Sequence, residues 1–229
     1  MAETMINSPY INHLITMIGA FSDPWGLKAP DSRHIFMNDE ARRFTSTPQQ
    51  FNIEGRRDSE FPAPWSEMAE ELIAHDTKTC TSNASSVVIE THHWYGATDL
   101  SPFLSEKHPV HDENGNCIAI LWSAKPVINI SPLMLVDEKK PGIITTHLTC
   151  TLFTQSENET IFYLMQGLSP KEIANVKNIA LKTVNNRIYT IFQKADVHSL
   201  RQLEAFCHEH GFTNYLPPHL LKKGLINIK

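Results

Sequence analysis

The sequence predicts a two-domain protein: an α+β N-terminal domain, in which helices flank an antiparallel sheet, and an all-α C-terminal domain of four helices. Three observations indicate this division. Two helix-start signals follow each other near residues 154 and 169, short apolar strands alternate with turns over residues 23–125, and a proline-containing segment at 126–152 separates the two regions. With 229 residues, the chain is long enough for two small domains that each have a core.

The C-terminal region begins two helices with the same capping pattern. Thr-Gln-Ser-Glu stands at 154–157, and Ser-Pro-Lys-Glu stands at 169–172. In each, a hydroxyl can accept from a backbone N–H and the glutamate three residues later can accept in return, which is typical of a helix N-terminus. Gly167 is a natural end for the first helix. We therefore predict helices over about 157–166 and 170–177.

A third helix is predicted from Leu181 or Lys182 to about Lys194, and a fourth over about 199–209. The third has one apolar face at helical spacing: Val184, Ile188, Ile191 and Phe192. Its opposite side has donors, acceptors and positive charge but no carboxylate: Lys182, Asn185, Asn186, Arg187, Tyr189 and Thr190. Amide side chains suit base edges, and Arg or Lys suits phosphate or guanine. A short helix, a turn and an amphipathic helix of this kind predict a helix-turn-helix.

These residues make the C-terminal third similar to the LuxR/FixJ-type DNA-binding domain, over about 153–210. The residues that agree at fixed offsets are Gly167, Leu168, Ser169, Lys171, Glu172, Ile173, Ala174, Lys182, Thr183, Val184, Ile188, Lys194 and Val197. Lys177, Ala180 and Arg187 depart from the pattern, since family members commonly have an apolar residue, a serine and a histidine there. The resemblance implies DNA binding and a dimer contact through the fourth helix. A small helical bundle with a solvated polar face is the alternative.

The resemblance and the polar face together imply a set of DNA-binding residues. This set is Lys171, Lys182, Thr183, Asn185, Asn186, Arg187, Tyr189, Thr190 and Lys194. Within it, we expect Lys182, Asn186 and Tyr189 to face base edges in the major groove. The residues expected to hold phosphates are Lys171, Thr183, Asn185 and Arg187.

The N-terminal region predicts an amphipathic helix over about 8–21 and then a mixed sheet domain. The further predicted elements are strands at 25–28 and 34–37, a helix capped by Asn38 that ends at Phe44, a helix at 63–74, and strands at 87–92 (continuing to Trp94), 103–110 and 118–122. This order, with Asp-Pro-Trp-Gly at 23–26 and a Pro-Val-x-Asp-x-x-Gly turn at 109–115, resembles a PAS domain over about 17–125. Another small α+β sensor domain is the alternative. The tail at 211–229 has no predicted element.

The charge of −5 is distributed unevenly along the chain. From Cys150 onward, nine basic and six acidic residues leave a net charge of +3, whereas 11 basic and 19 acidic residues before it leave −8. Charge therefore favours nucleic-acid binding by the C-terminal part alone, with modest and salt-sensitive affinity. No segment approaches the ~20 apolar residues of a membrane span, and no signal peptide is visible. We expect a cytoplasmic, nucleoid-associated protein without membrane partners.

The four cysteines form no short-spaced pair, so neither a zinc site nor a disulfide framework is predicted. Cys80 and Cys117 are interpreted as small core residues. Among the 12 histidines, His75 is the position at which a haem-binding PAS domain could place its ligand. No metal site or resident cofactor is predicted, with a small ligand or haem in the PAS-like domain as alternatives. The aromatic residues that could line a cavity or form simple core are Trp25, Phe36, Trp65, Trp94, Phe103 and Trp122.

No sequence signature of an enzyme was found: no GxSxG, phosphate-binding loop, GxGxxG or HExxH. We therefore interpret the chain as a DNA-binding transcriptional regulator that binds double-stranded DNA as a homodimer and is regulated through the PAS-like domain. RNA polymerase and another regulator are further candidate partners. The alternative function is a protein-interaction module that modulates another regulator without binding DNA.

Overall fold

A computed structural model describes residues 9–130 and 142–228 of the chain. The chain divides into two compact units, one containing residues 1–127 and 222–229, the other residues 128–221. Within the described ranges, no helix is both long enough and apolar enough to cross a lipid bilayer.

The first unit is built on a six-stranded antiparallel sheet in the order β2-β1-β5-β4-β3-β8. Its strands are β1 Trp25–Lys28, β2 His34–Met37, β3 Ser86–His92, β4 Ser101–His111, β5 Cys117–Pro126 and β8 Gly224–Asn227. Successive residues of a strand point to opposite faces. Leu27 and Ala119 therefore pack on one side of the sheet, while Trp122 and Ala124 pack on the other.

Helices cover both faces of this sheet. Helix α1, Pro9–Gly19, buries Ile11 and Ile18 against the first face. The second face is covered by α2, Asp39–Phe44, and by α3, Ala69–Ser82, which follows a 3-10 turn at Pro64–Met68. Asn38 caps α2 as predicted, because its Oδ1 accepts from the amide of Ala41. Ser8, the predicted cap of α1, lies outside the described residues.

Several predicted boundaries are wrong by a few residues. Helix α3 continues to Ser82, eight residues beyond its predicted end, and its threonine hydroxyls donate to carbonyls four residues earlier. Strand β3 ends at His92, since Trp94–Gly96 forms a turn in which Tyr95 has φ 56. Strands β4 and β5 are longer than predicted because they pair from Phe103 to His111 and from Pro126 to Cys117, while Ser101 and Pro102 extend β4 by pairing with β3. The predicted turn at 109–115 ends in the pair Asn114-Gly115, which is typical of tight hairpin turns with positive φ. Gly115 has φ 81.

The second unit is a bundle of four helices. These are α4 Gln155–Met165, α5 Pro170–Lys177, α6 Leu181–Ala195 and α7 Leu200–Glu209. Their apolar sides form one core around Ile161, Ile173, Val184, Ile191 and Leu203, each of which is fully buried.

Parts of the predicted linker pack within this second unit. Strand β6, Ile128–Asn129, pairs with β7, Gly142–Ile143, and Thr145 forms a bridge with Tyr215. The apolar run 133–136 of the predicted linker lies outside the described residues. The fold class is confirmed: an α+β unit with an antiparallel sheet and flanking helices, and a unit with four helices.

Candidate nucleic-acid interface and buried cavity

Both capping boxes form as the sequence predicts. Thr154 donates its amide to Glu157 Oε2 at 2.7 Å, and its hydroxyl accepts from the Glu157 amide. Ser169 and Glu172 make the same reciprocal pair at the start of α5. Helix α5 ends at Asn178, whose φ of 50 turns the chain towards α6. These local bonds fix where α5 stops and α6 starts, which is the turn of the helix-turn-helix.

Helix α6 presents one face to its own core and the other to solvent. Val184 and Ile191 are fully buried. Lys182, Asn186 and Tyr189, the predicted base-facing residues, lie on the exposed side, and Tyr189 has 68% of its surface accessible. Thr183, Asn185 and Thr190 are also exposed, as is Lys171 on α5. The exposed face thus has amide, hydroxyl and ammonium groups and no carboxylate.

Three predicted contact residues are partly buried or bonded within the domain. Lys194 Nζ lies 2.7 Å from Glu157 Oε2, and so forms an ion pair with the capping glutamate of α4. Arg187 is half-buried, and its Nη1 has no hydrogen-bond partner among the described residues. Thr190 donates its hydroxyl to the carbonyl of Asn186. Lys194 therefore has a structural role that the sequence analysis missed, because Glu157 is distant in sequence.

The lysine that departs from the family pattern is satisfied in this structure. Lys177 forms an ion pair with Glu159 of α4, and its side chain is only 9% exposed. His219 lies 3.2 Å from the other oxygen of Glu159. The lysine stem therefore covers the position at which family members commonly have an apolar residue, while Val176 stays exposed.

The first unit encloses a cavity of about 40 Å³ on the sheet face below α2 and α3. Its walls combine aromatic and ionisable side chains: Lys28, His34, Phe44, Thr45, Asp58, Trp65, Leu72, Glu90, Trp94, Ser105, Lys107 and Trp122. Among the aromatic residues named from the sequence, three tryptophans line the cavity and Phe103 belongs to the same core. Trp25 and Phe36 pack with α1 on the other face.

A buried network of ion pairs forms part of this wall. Lys28 Nζ lies 2.6 Å from Asp58 and 3.0 Å from Asp76, and Lys107 pairs with the other oxygen of Asp76. His34 Nε2 donates to Asp58 at 2.8 Å. All five side chains are almost completely buried. Two lysines thereby balance two aspartates inside a protein core, where an unpaired charge would be costly.

Protonation in the network follows from burial and neighbouring charge. Burial alone would raise the pKa of Asp58, but Lys28 and the hydrogen bond from His34 outweigh it and hold that pKa below its ordinary value. Burial lowers the pKa of His34, which favours its neutral form. Burial raises the pKa of Glu90, against the opposing charge of Lys107. The cavity wall therefore has balanced charges and two side chains biased towards neutrality.

The haem alternative at His75 finds no support in the geometry. His75 Nε2 lies 2.7 Å from the Ser86 hydroxyl, and burial, reinforced by Lys107, lowers its pKa to about 3. His75 does not line the cavity. A hydrogen-bonded core histidine accounts for these contacts.

The interpretation of Cys80 and Cys117 as separate core residues is wrong. They form a disulfide that links α3 to the first residue of β5, with Cα atoms 5.9 Å apart. The pair is separated by 37 residues, so no short spacing marks it in the sequence. Only the packing of α3 against the sheet brings the two thiols together.

Comparisons with known proteins agree with both units. Residues 151–206 match the family model described as bacterial regulatory proteins, luxR family, and residues 19–128 match the PAS fold. No sequence among curated proteins matches the chain significantly. The resemblances proposed from the sequence are thus confirmed for both domains.

Solved structures share the whole architecture. A Vibrio cholera VqmA complex with ligand and DNA has a TM-score of 0.76 and 22% identity, covering 95% of this chain and 96% of that one. A phage VqmA complex with DPO has a TM-score of 0.70 and 22% identity, covering 96% of each chain. At this identity the likeness concerns the fold. The chain therefore combines a unit that matches the PAS fold with a helix-turn-helix unit that matches the model for the luxR family of bacterial regulatory proteins.

Proposed function

We propose that the protein binds double-stranded DNA as a homodimer, with α6 of each subunit in the major groove. The observation that carries this proposal is the two-sided character of α6: one face is buried in the domain core, while the other exposes base- and phosphate-binding groups without a carboxylate. The VqmA neighbour with the same fold is described as a complex with DNA, which supports the proposal.

Within this interface we assign roles by position on α6. Lys182, Asn186 and Tyr189 follow one another at helical spacing on its exposed side and are proposed to reach base edges. The proposed phosphate contacts are Lys171, Thr183, Asn185 and Arg187. Thr190 lies beside them, with its hydroxyl already donated to a carbonyl. Lys194 stays with Glu157 and is proposed to support α6 in place of contacting DNA.

A second feature supports a phosphate at the start of α6. Ala180 stands at the N-cap and supplies no side-chain hydrogen bond to the first turn. Amides in the first turn of a helix need partners, and the helix dipole makes this end favourable for an anion. We propose that a DNA phosphate takes the place that the family's serine would otherwise occupy. A protein with this function acts at the nucleoid and needs no catalytic activity.

The test is fluorescence-anisotropy binding of the full-length protein to duplexes selected from a random library, at two salt concentrations. Asn186→Ala should lower affinity about tenfold or more, unevenly across sequences. Arg187→Ala should weaken binding evenly and reduce the salt slope by about one. Lys125→Ala removes an exposed charge from the PAS-fold unit and should leave binding unchanged. Wild-type affinity in both α6 variants would favour the alternative of a protein-interaction module.

We further propose that the cavity holds a small uncharged polar ligand that regulates DNA binding. Lys28 and Lys107 of its wall are balanced by Asp58, which also lines the cavity, and by Asp76, which pairs with both lysines, so an ionic ligand would add an uncompensated charge. His34 Nδ1 and Trp122 Nε1 are buried without a hydrogen-bond partner among the described residues, and both residues line the cavity. A neutral ligand with a donor and an acceptor would satisfy them. The neighbour complexes with a ligand and with DPO support such a role.

A volume of about 40 Å³ accommodates a few water-sized groups, so a larger ligand requires the aromatic wall to move. DPO is the first probe to use, because a neighbour of the same fold is described with it. We expect it to raise the unfolding midpoint followed by tryptophan fluorescence, and we expect Ser105→Leu, which narrows the cavity, to abolish that shift. An equal shift in Ser105→Leu would place the binding site elsewhere.

A further inference from the structure

The C-terminal segment returns to the PAS-fold unit after the helical domain. Strand β8 pairs antiparallel with β3, with Leu225 opposite Glu90 and Ile226 opposite Ile89. Residues 222–229 therefore belong to the first unit, although residues 128–221 of the second unit precede them directly. The helical domain is consequently joined to the PAS-fold unit by the chain at both of its ends.

Specific contacts hold this strand at the edge of the sheet. The Leu225 amide donates to Glu71 Oε2 at 3.1 Å, and the Ile228 amide donates to the carbonyl of Val87. Lys223 Nζ lies 2.7 Å from Glu67 on the covering helical segment. These bonds satisfy an outer edge of β3 that would otherwise present unpaired backbone groups.

The strand also connects to the cavity. Leu225 packs against the apolar cluster that includes the cavity tryptophans, whereas its neighbour Ile226 is 62% exposed. Glu90, the residue opposite Leu225, lines the cavity itself. Glu67, which holds Lys223, also accepts from the buried His92. A change in the cavity wall therefore acts directly on the partner residues of β8.

We infer that the outer edge of β3 is a strand-binding surface whose ligand is the chain's own segment 224–227, and that its occupancy tethers the DNA-binding domain. A domain held at both ends has fewer orientations than a domain held at one end. In a homodimer, this restriction selects DNA half-sites at one spacing. The inference rests on the proposed DNA binding.

The geometry makes this tether releasable. Strand β8 has four residue pairs with β3, compared with seven between β3 and β4. Only Leu225 packs against the core cluster, and the Lys223–Glu67 ion pair is exposed on both sides, which makes its contribution small. Short edge elements with little buried surface open at low free energy, so β8 is suited to exchange between docked and released states.

Two adjacent residues provide a matched test. Leu225→Asp places a charge in the apolar cluster and should release β8, whereas Ile226→Asp adds the same charge on the exposed side and should leave it docked. Hydrogen exchange of the full-length variants measures docking through the amides of Leu225 and Ile228. Deletion of residues 224–229 releases the tether without a core charge and replaces Leu225→Asp if that variant does not fold.

Function is measured with the library-selected duplex and derivatives in which the half-sites are moved by about five base pairs, half a helical turn. On the altered spacing, we expect the affinity of the wild type and of Ile226→Asp to fall at least about tenfold. The affinity of Leu225→Asp, or of the deletion variant, should fall less than about threefold. The proposed tether would be refuted if a variant with released β8 kept the spacing selectivity of the wild type. It would also be refuted if the wild type bound duplexes of all spacings with equal affinity. Absence of binding to any duplex would instead overturn the proposed DNA-binding function.

Discussion

The two units of this protein differ in how many ionisable side chains they bury in their interiors. The helical unit has an apolar core, and its ion pairs, such as Lys194–Glu157 and Lys177–Glu159, are only partly buried, with side chains that are 8–33% exposed. The PAS-fold unit instead buries Lys28, Asp58 and Asp76 beside its cavity. Charges inside a core cost desolvation that their attraction only partly returns.

The difference reflects what each unit presents to a ligand. A helix-turn-helix exposes its chemistry on the surface, so its interior needs only to hold α6 in place. A cavity that recognises a polar molecule must hold polar groups inside the fold, where every one of them needs a partner. The PAS-fold unit should therefore be the more sensitive to single polar substitutions and to pH.

The largest effect is expected from Asp76→Ala. The substitution leaves Lys107 buried without a carboxylate and Lys28 with Asp58 alone, and should cost about 3–5 kcal/mol of unfolding free energy. All four tryptophans lie in the PAS-fold unit, so urea unfolding followed by tryptophan fluorescence reports this unit separately. Glu159→Ala, at a partly buried pair of the helical unit and followed by far-UV circular dichroism, is the matched comparison. A loss below about 1 kcal/mol for Asp76→Ala would remove the distinction between the two interiors.

A smaller difference is expected in the response to acid. The folded-state pKa of His75 is lowered to about 3 by burial, so the stability that its neutral form contributes is present above about pH 6.5 and is lost as pH falls towards 3. Lys177 and Lys194 lower the pKa values of Glu159 and Glu157 against their burial, so their contribution is lost only below about pH 4.5. As pH falls, the loss of stability of the PAS-fold unit, followed by tryptophan fluorescence, should therefore begin at a higher pH than that of the helical unit, followed by far-UV circular dichroism.

The variant His75→Gln checks the cause of this acid response. The free energy of unfolding of its PAS-fold unit should fall less steeply as pH drops from about 6.5 to 4. The decrease in slope should correspond to at most one proton fewer taken up on unfolding. Asp58 and Asp76 have lowered pKa values and act below about pH 4, so they should dominate in both proteins at lower pH. An identical slope in wild type and variant would show that other groups govern the transition.

The smallest effect is expected at the partly buried pair of the helical unit. A double-mutant cycle of Lys177→Met and Glu159→Gln should give a coupling of about 1–2 kcal/mol, because both side chains keep some contact with solvent, unlike those of the buried network. Urea unfolding of the helical unit by far-UV circular dichroism measures it. Lys171→Met removes an exposed lysine from the same helix and serves as control. A coupling above about 3 kcal/mol would make this pair equivalent to the buried network.

Local signals predicted most of the secondary structure. The capping boxes at 154–157 and 169–172, the Asn38 cap and the Asn-Gly turn each depend on residues within a few positions of one another. Hydrophobic periodicity then predicted which side of α6 would be buried, through Val184 and Ile191. Such features need no knowledge of the rest of the chain.

Features that depend on distant contacts were missed. The Cys80–Cys117 disulfide, the partner of Lys194 and the position of β8 each join residues that are at least 37 positions apart. No element was predicted in the tail because Gly-Leu-Ile-Asn at 224–227 is too short to form a strand on its own. It forms one only by pairing with the free edge of β3.

The sequence by itself determined the two-domain order, the helix-turn-helix and the polar face of α6, because capping and periodicity are properties of neighbouring residues. Tertiary structure alone decided that Lys28, Asp58, Asp76 and Lys107 meet beside a cavity and that the tail completes the sheet. A charged residue in a strand looks solvent-facing until its partners, up to 48 positions away in this network, are brought into the same core.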